Sequence, residues 1–321
     1  MNAATETSES FAAPATAPRP VRPFYWSVRR ELWENRSLLI APLVAGGIML
    51  VALIMRSMHL SGDVEFFMTV PADRQGPIVS LALSGIAFLI SLVMNITVFF
   101  YALDALQGER KDRSVLFWKS MPVSDTTTVL SKVFTALVVS GAVVVVVTLI
   151  TQIAVLLLAT VILMFSGTSP GALWGNLQLI EVTITNIYAQ IAMALWYAPV
   201  TAWLLLVSSW AKRVTFLWAV FIPVGAAVFE RVAIGTHYIR DMIAYRLQDG
   251  LKTAFTPAGE RTAEVIIGGK GPVDGNIAIP GSLNSLDPVG FFSNPWLWVG
   301  LVIAAGLIAA AIWMRRYREP I

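Results

Sequence analysis

Six long apolar stretches constrain the fold of this chain more than any other feature of its sequence. They are Ser37–Met55, Pro77–Leu103, Val133–Phe165, Val182–Trp210, Val214–Gly235 and Asn294–Met314. Each exceeds the roughly 17 residues that a helix needs to cross a hydrocarbon core of about 30 Å. Only 13% of the residues are charged, against about 25% in soluble domains. The sequence therefore predicts an all-α polytopic membrane protein with six transmembrane helices.

The third stretch is long enough to hold either one span or two. As a helix it would extend about 50 Å, which suits one tilted span and is short for two spans with a turn. It contains no proline and a single glycine, Gly141, and it follows a predicted N-cap at Ser124. We predict one helix, and two spans are the alternative.

The distribution of basic residues predicts the orientation of the spans, because cytosolic loops are enriched in lysine and arginine. Six spans with both termini in the cytosol place most of the 23 basic residues on that side: Arg19, Arg22, Arg29, Arg30, Arg36, Arg110, Lys111, Arg113, Lys119, Lys132, Lys212, Arg213, Arg315, Arg316 and Arg318. Two spans in the third stretch would put the last three outside. We therefore expect both termini in the cytosol.

Two segments precede the first span. Residues 1–23 are rich in Ala, Thr, Ser and Pro and are predicted to be a disordered cytosolic tail. Residues 24–36, FYWSVRRELWENR, have helical spacing, with apolar and aromatic side chains on one side and charged ones on the other. We predict a helix lying in the membrane interface, with Arg29 reaching toward lipid phosphates. A plain cytosolic extension of the first span is the alternative.

Residues 236–293, between the last two spans, form the largest segment outside the predicted membrane. Their first part, HYIRDMIAYRLQDGLKTAF, has helical spacing. Their second part, EVIIGGKGPVDGNIAIPG, has short β-branched runs around glycine-rich turns, as in a hairpin. We predict a small α/β cap on the external face. Residues 294–321 complete the chain as the sixth span and a short basic cytosolic tail.

The sequence offers no residues for catalysis or metal binding. The chain has no cysteine and two distant histidines, His59 and His237, which excludes thiolate and zinc sites. The nearest approach to a phosphate-binding loop is EVIIGGKGPVDG, but Glu264 stands at its first glycine position and Gly271 at its Ser/Thr position. We therefore predict a non-catalytic subunit that does not itself bind ATP.

The predicted cytosolic loop 105–127 contains an unusual stretch, GERKDRSVLFWKSMPVSD. Its charged residues surround a short helix that presents Val115, Phe117 and Trp118, and Pro122 ends this helix. Apolar anchors inside a polar rim are typical of a protein-docking surface. The alternative is that both aromatic rings lie in the membrane interface as belt residues.

The stretch from the second to the third span, YALDALQGERKDRSVLFWKSMPVSDTTTVLSKVFTAL, resembles the corresponding signature of type-2 ABC transporter permeases. The likeness consists of an acidic-basic turn, Phe-Trp-Lys-Ser, Pro-Val-Ser, and a Ser-Lys entering the next span. It extends to FYWSVRRELWENR and to LDPVGFFSNPWLWVGLVIAAG and RRYREPI. Members of this family are the membrane subunits of bacterial ATP-driven exporters. The N-terminal tail and the hairpin-like insert fall outside the likeness.

The resemblance implies a dimer of such subunits in a bacterial inner membrane, docked on two copies of a cytosolic ATPase that binds ATP and magnesium. Glu109–Pro122 would be the coupling helix that inserts into the ATPase, and Tyr25–Arg36 the elbow helix. The implied coupling residues are Glu109, Arg110, Asp112, Arg113, Val115, Phe117, Trp118 and Pro122, and the elbow residues are Trp26, Arg29, Arg30, Trp33 and Glu34. Membrane lipid is a further expected partner, and nucleic acid is not.

The resemblance also implies that the second and fifth spans line a central cavity. The candidates for lining it are Asn95, Phe99, Phe100, Pro223 and Phe229. Asn95 has the alternative role of a hydrogen bond between helices. Glu230 and Arg231 lie near the outer edge of the hydrocarbon, where they form either an ion pair reaching the external interface or an outer gate.

The predicted function is that of a permease subunit in an ATP-driven exporter. One alternative is a membrane anchor or sensor that recruits a cytosolic partner without transport. Another is a secondary transporter, which normally shows buried charges or interrupted helices at the midplane. The apolar spans favour lipidic, amphipathic or peptide cargo over ions.

Overall fold

A computed structural model describes residues 22–57, 72–111, 124–165, 167, 169–175, 177–255 and 283–317. The helices in these ranges are α1 (Pro23–Glu34), α2 (Ser37–Ser57), α3 (Ala72–Asp104), α4 (Gln107–Lys111), α5 (Asp125–Phe165), α6 (Gly171–Gly175), α7 (Leu179–Trp210), α8 (Thr215–Ala233), α9 (Tyr238–Gln248), α10 (Gly250–Ala254), α11 (Pro288–Ser293) and α12 (Pro295–Tyr317). A 3-10 turn covers Leu283–Ser285.

Six of these helices are long and apolar enough to cross a membrane. They are α2, α3, α5, α7, α8 and α12, which are named spans 1 to 6 below. The predicted number of spans is therefore confirmed, as is the helical class of the described chain. Residues 1–21, which include almost all of the predicted tail, lie outside the described ranges.

Span 3 is one continuous helix, as predicted. Ser124 caps it, since its Oγ accepts a hydrogen bond of 3.1 Å from the backbone N–H of Thr127. A π-helical turn interrupts the α-helix over Thr135–Val139, where the N–H of Ser140 donates to the carbonyl of Thr135. Such a turn inserts one extra residue into the hydrogen-bond ladder. The helix then continues in the α form to Phe165.

Span 4 lies at the centre of the bundle and packs along spans 2, 3 and 6. Its contact with span 6 runs through Ala198, Ala202 and Ala304. Small side chains let membrane helices approach closely, which increases van der Waals contact where no hydrophobic effect drives association. Spans 1 and 3 use the same device, because Gly46 faces the side chain of Thr151.

Span 5 packs less closely than the other five spans. Its contacts include a hydrogen bond of 3.1 Å from Trp203 Nε1 to the carbonyl of Ala219, and the ring of Phe216 against that of Phe99. Many of its apolar side chains, among them Phe221 and Phe229, remain exposed. A helix that is apolar on its exposed faces suits a lipid environment or contact with another membrane helix.

The two ends of the bundle differ in character. The basic end holds α1, α4, the start of span 3 and the end of span 6, with Arg30, Lys132 and Arg315 close together. The cap end holds α9, α10 and α11, which surround span 4 near Trp196. Since Trp196 is about 21 Å along the helix from Trp210 at the basic end, the cap helices reach well down the side of the bundle.

The described part of the cap is helical. Trp196 Nε1 donates to the carbonyl of Arg246 at 2.8 Å, and the hydroxyl of Tyr188 donates to the carbonyl of Ala254 at 3.0 Å. The predicted α/β character is not found in this part, where the only extended pairing is an isolated bridge between Phe255 and Leu286. The predicted hairpin falls within residues 256–282, outside the described ranges.

Candidate functional site: a buried charge cluster and a groove between spans 2 and 4

Charged side chains from four elements meet inside the basic end. This charge cluster consists of Arg30, Glu31, Glu109, Asp125, Lys132 and Arg315. Three of its members are acidic and three are basic, so its formal charges balance. Because lone charges in an apolar interior are very costly, the balance is a condition for burying these groups at all.

Glu31 and Lys132 form the most deeply buried pair of the cluster. Their side chains are 0% and 2% exposed, and Lys132 Nζ lies 2.7 Å from Glu31 Oε1. The hydroxyl of Tyr101 donates a hydrogen bond of 2.9 Å to the other oxygen of Glu31. Arg30 supplies a third contact at 3.2 Å. The carboxylate thus joins α1 to spans 2 and 3.

Glu109 is the second centre of the cluster. It lies 3.1 Å from both Lys132 and Arg30, and its other oxygen accepts a bond of 2.6 Å from Arg315 Nη1. Arg315 also donates from Nε to Asp125 at 2.9 Å. Arg315 therefore connects the end of span 6 with α4 and with the first turn of span 3.

The cluster encloses both ends of the segment 112–123. Glu109 in α4 precedes this segment and Asp125 follows it, and both bind Arg315. Span 4 adds a further connection, because Ser208 Oγ accepts bonds of 3.0 Å from the backbone N–H groups of Leu106 and Gln107. The helix ends that flank this segment are therefore connected to α1 and to spans 2, 3, 4 and 6.

The predicted coupling residues are only partly within the described ranges. Glu109 is described, and its side chain is buried in the charge cluster. Arg110 belongs to α4. Outside the described ranges lie Asp112, Arg113, Val115, Phe117, Trp118 and Pro122.

Helix α1 turns its charged side toward the bundle and its aromatic side outward. Trp26 and Trp33 are exposed, and the guanidinium of Arg29 lies over both rings, 5.2 and 4.5 Å from their centroids. On the other side, Arg30 Nε lies 3.5 Å from Glu34, the predicted i,i+4 pair. Burial raises the pKa of Glu34 above the ordinary value of a glutamate, and Arg30 partly offsets this rise.

Sequence reasoning missed Glu31, Tyr101, Lys132 and Arg315 as site residues. Lys132 and Arg315 entered only as basic residues that mark the cytosolic side, and Glu31 as part of a polar helix face. The available signal was the presence of opposite charges within the first or last turns of several apolar helices. That signal does not tell which of the charges meet.

A groove of about 420 Å³ lies between spans 2 and 4. It is lined from span 2 by Ser84, Ala87, Phe88, Ser91, Leu92, Asn95, Val98 and Phe99, from span 4 by Val182, Thr185, Asn186, Ala189, Gln190, Met193, Tyr197, Val200, Thr201 and Leu204, and from the cap by Leu247, Gln248 and Leu251. None of these side chains is charged. A volume of this size is within the range of small-molecule sites.

Amide and hydroxyl groups form a connected row in the groove. Gln190 Nε2 donates to Ser91 Oγ at 2.9 Å and contacts Asn186 Oδ1 at 3.3 Å. Asn95 Nδ2 donates to the backbone carbonyl of Ser91 at 2.9 Å. Since Ser91 belongs to the same span, this amide bonds within its own helix. The predicted alternative, a hydrogen bond from Asn95 to another helix, is not found among the described residues.

Two of the predicted pathway residues, Asn95 and Phe99, line this groove. Phe100 and Phe229 do not line it, and both side chains are exposed on the outside of the described bundle. Pro223 lies within span 5, which contributes no residue to the groove. Within one chain the groove lies between spans 2 and 4, because span 4 packs along span 2 and span 5 contacts span 2 only near one end. The central cavity that the resemblance implies for spans 2 and 5 of a dimer stays a prediction.

Glu230 and Arg231 do not pair with each other. The carboxylate of Glu230 accepts bonds of 2.7 to 2.8 Å from the hydroxyl of Thr236 and from the backbone N–H groups of Tyr238 and Ile239. It therefore caps the start of α9, where free N–H groups favour a negative charge. Arg231 contacts the ring of His237 at 2.9 Å. The predicted ion pair between these two residues is therefore not formed, and the outer gate stays a prediction.

The chain matches no protein-family model, no curated protein and no solved structure. The described residues also contain no group of three or more histidine, aspartate or glutamate side chains arranged to hold a metal ion.

Proposed function

We propose that this chain is the membrane-spanning permease subunit of an ATP-driven ABC exporter. Two copies would form the complex with two copies of a separate ATPase, which would bind ATP and magnesium. The chain itself would contribute no catalytic group. The bacterial inner membrane would be its location, with both termini and the basic end in the cytosol.

The observation that carries the proposal is the charge cluster at both ends of the segment 112–123. A coupling segment must pass a movement of the ATPase to the transmembrane helices. The segment leaves α4 at Lys111 and re-enters helix at Asp125, and Arg315 binds the acidic residue on each side of it. Packed interfaces of this kind move as units, so the attached spans would shift together.

The exposed apolar face of span 5 supports the second element of the proposal, a partner chain in the membrane. Span 5 is held by few contacts at its end nearest the basic end and by α9 at its other end. The face that carries Phe221 and Phe229 is open to lipid or to a second copy. A loosely held helix at such an interface would be free to rock during transport.

The proposal is tested by purifying the tagged full-length chain from its native membranes in mild detergent and identifying the proteins that accompany it. We expect an ATPase with phosphate-binding loops in about equal amount. Trp118→Ala should abolish its recovery and the stimulated ATPase activity. Trp174→Ala is the matched control, because Trp174 is an exposed tryptophan at the opposite end of the bundle. Recovery of no ATPase from wild type, or equal recovery with both variants, would contradict the proposal.

The groove favours a second candidate, a transporter that needs no ATPase. The amide side chains of Asn95 on span 2 and Gln190 on span 4 form a polar site in the groove. Such a site does not need ATP to bind a solute. Reconstitution of the purified chain alone into vesicles separates the two candidates. Transport driven by an ion gradient in the absence of any ATPase would favour the second candidate over the first.

A further inference from the structure

The groove between spans 2 and 4 contains two buried hydroxyl groups without a partner among the described residues. Ser84 and Thr185 are 4% and 1% exposed, and neither Ser84 Oγ nor Thr185 Oγ1 makes a hydrogen bond. Both residues line the groove. Buried hydroxyls of membrane helices usually bond to a carbonyl one turn earlier, as Thr183 does on the same span. Two orphan hydroxyls beside one cavity therefore point to a ligand that supplies their partners.

The amides of the groove have hydrogen-bonding capacity left as well. Gln190 uses its Nε2 for Ser91 and Asn186, which leaves Gln190 Oε1 as an acceptor. Asn186 uses only its Oδ1 and keeps two N–H donors, and Asn95 keeps its Oδ1. The site thus offers both donors and acceptors, a combination that suits hydroxyl, ester or amide groups.

Polarity changes along the groove. Ser84, Thr185, Asn186 and Gln190 lie toward the cap end, whereas Phe99, Val98, Val200 and Leu204 lie toward the basic end, where Thr201 adds one hydroxyl to a mainly apolar lining. Asn95 is about 14 Å along span 2 from its last residue, Asp104, so the polar part begins near the middle of a hydrocarbon core of about 30 Å. An amphipathic molecule placed here would have its head toward the cap and its chain toward the basic end.

Charge is absent from the lining of the groove. An ionic head group would be buried there without a counter-charge, which is costly in a membrane interior. We infer that the groove between spans 2 and 4 binds a neutral single-chain amphipath whose ester, amide or hydroxyl head lies against Ser84, Thr185, Asn186 and Gln190. This deepens the proposed function by naming a class of cargo, but the binding itself needs no ATPase.

The test uses the purified full-length chain in nanodiscs and a monoacylglycerol with a photoreactive diazirine at the end of its chain. We expect crosslinks in the part of the groove nearest the basic end, at residues such as Phe99, Val200 and Leu204. Unlabelled monooleoylglycerol should compete, and an alkyl sulfate of the same chain length should not. Crosslinks spread over all spans, or equal competition by the sulfate, would overturn the inference.

The double variant Ser84→Ala, Thr185→Val removes both orphan hydroxyls without breaking any hydrogen bond within the described chain. It should fold normally and lose about fivefold or more of the crosslinking. The matched control Thr97→Val, Thr183→Val removes hydroxyls of the same two spans that do not line the groove and bond to their own helix. Equal labelling of wild type and the first variant would refute the inference.

The outcomes distinguish this inference from the proposed function. Specific crosslinking of a chain that recovers no ATPase would support the lipid-like site and reject the exporter. Recovery of an ATPase with no specific crosslinking would support the exporter and reject the lipid-like site. Crosslinking between two copies of the chain at the groove would show that another protomer covers it, which would also overturn the inference.

Discussion

The ammonium group of Lys132 lies 2.7 Å from the carboxylate of Glu31, and both side chains are shielded from solvent. The two residues are 101 positions apart in the sequence. Their pairing attaches α1 to the third span, and it explains why α1 turns its aromatic side outward. The charged side is buried in the bundle, so the tryptophans on the opposite side of α1 are exposed.

Replacement of Lys132 should destabilise the bundle strongly. Lys132→Met leaves Glu31 and Glu109 with one cation fewer in a buried site, and we expect a loss of about 3 to 5 kcal/mol. Thermal unfolding of the detergent-solubilised chain measures it. Lys252→Met is the control, because Lys252 forms an exposed pair with Asp249 and should cost at most about 1 kcal/mol. Adding Glu31→Gln to Lys132→Met should restore part of the loss, and strict additivity would contradict the buried pairing.

Addition of a single methyl group at Gly46 should force spans 1 and 3 apart. A Cβ at this position would collide with Thr151 Oγ1, whereas Gly47 has open space around it. We expect Gly46→Ala to cost about 1 to 3 kcal/mol by overpacking, and Gly47→Ala to be neutral or slightly stabilising. Unfolding temperatures of the two variants provide the comparison. Thr151→Ala should rescue Gly46→Ala, and a failure to rescue would mean that the two spans do not meet there.

The cap depends on the carboxylate of Glu230. Glu230→Gln replaces one of the two accepting oxygens by an amide that donates, so at least one of its three donors loses its partner. We expect the start of α9 to loosen by about 1 to 3 kcal/mol, visible as faster amide exchange at Tyr238 and Ile239. Arg231→Gln should leave this exchange unchanged. Unaltered exchange in Glu230→Gln would show that this carboxylate does not hold the start of α9.

The orientation of the bundle is directly testable because the chain contains no cysteine. Thr126 is exposed at the basic end and Tyr238 at the cap end. A membrane-impermeant maleimide should label Tyr238→Cys in intact spheroplasts, and Thr126→Cys only after permeabilisation. The opposite pattern would place the segment 112–123 outside the cell and remove the basis for a cytosolic ATPase.

The spans were predictable because their signals are local. The unbroken apolar run without proline gave span 3 as one helix, and Ser124 marked its start. The charge cluster was not predictable, since it depends on which of many terminal charges become neighbours across the bundle. The number of basic residues predicted which end faces the cytosol. It did not indicate that Lys132 and Arg315 are buried.

The groove shows a different limit. Asn95 and Phe99 were candidates because the resemblance implies that spans 2 and 5 line a central cavity. Their contacts with span 4 depend on the close packing of span 4 along span 2, which a pattern of apolar residues does not specify. Asn186 and Gln190 are spaced one turn apart in span 4, and two amides at this spacing are a sequence signal for a polar strip on a membrane helix.

The π-helical turn at Thr135–Val139 sets the rotational phase of span 3. One extra residue turns the segment that carries Lys132 by about 100° relative to the segment that carries Val144 and Thr151. Each segment can therefore face its own neighbours: Lys132 faces Glu31, and Thr151 faces span 1. Deletion of a single residue here would keep every cluster side chain in the sequence and still point the lysine away from the glutamate.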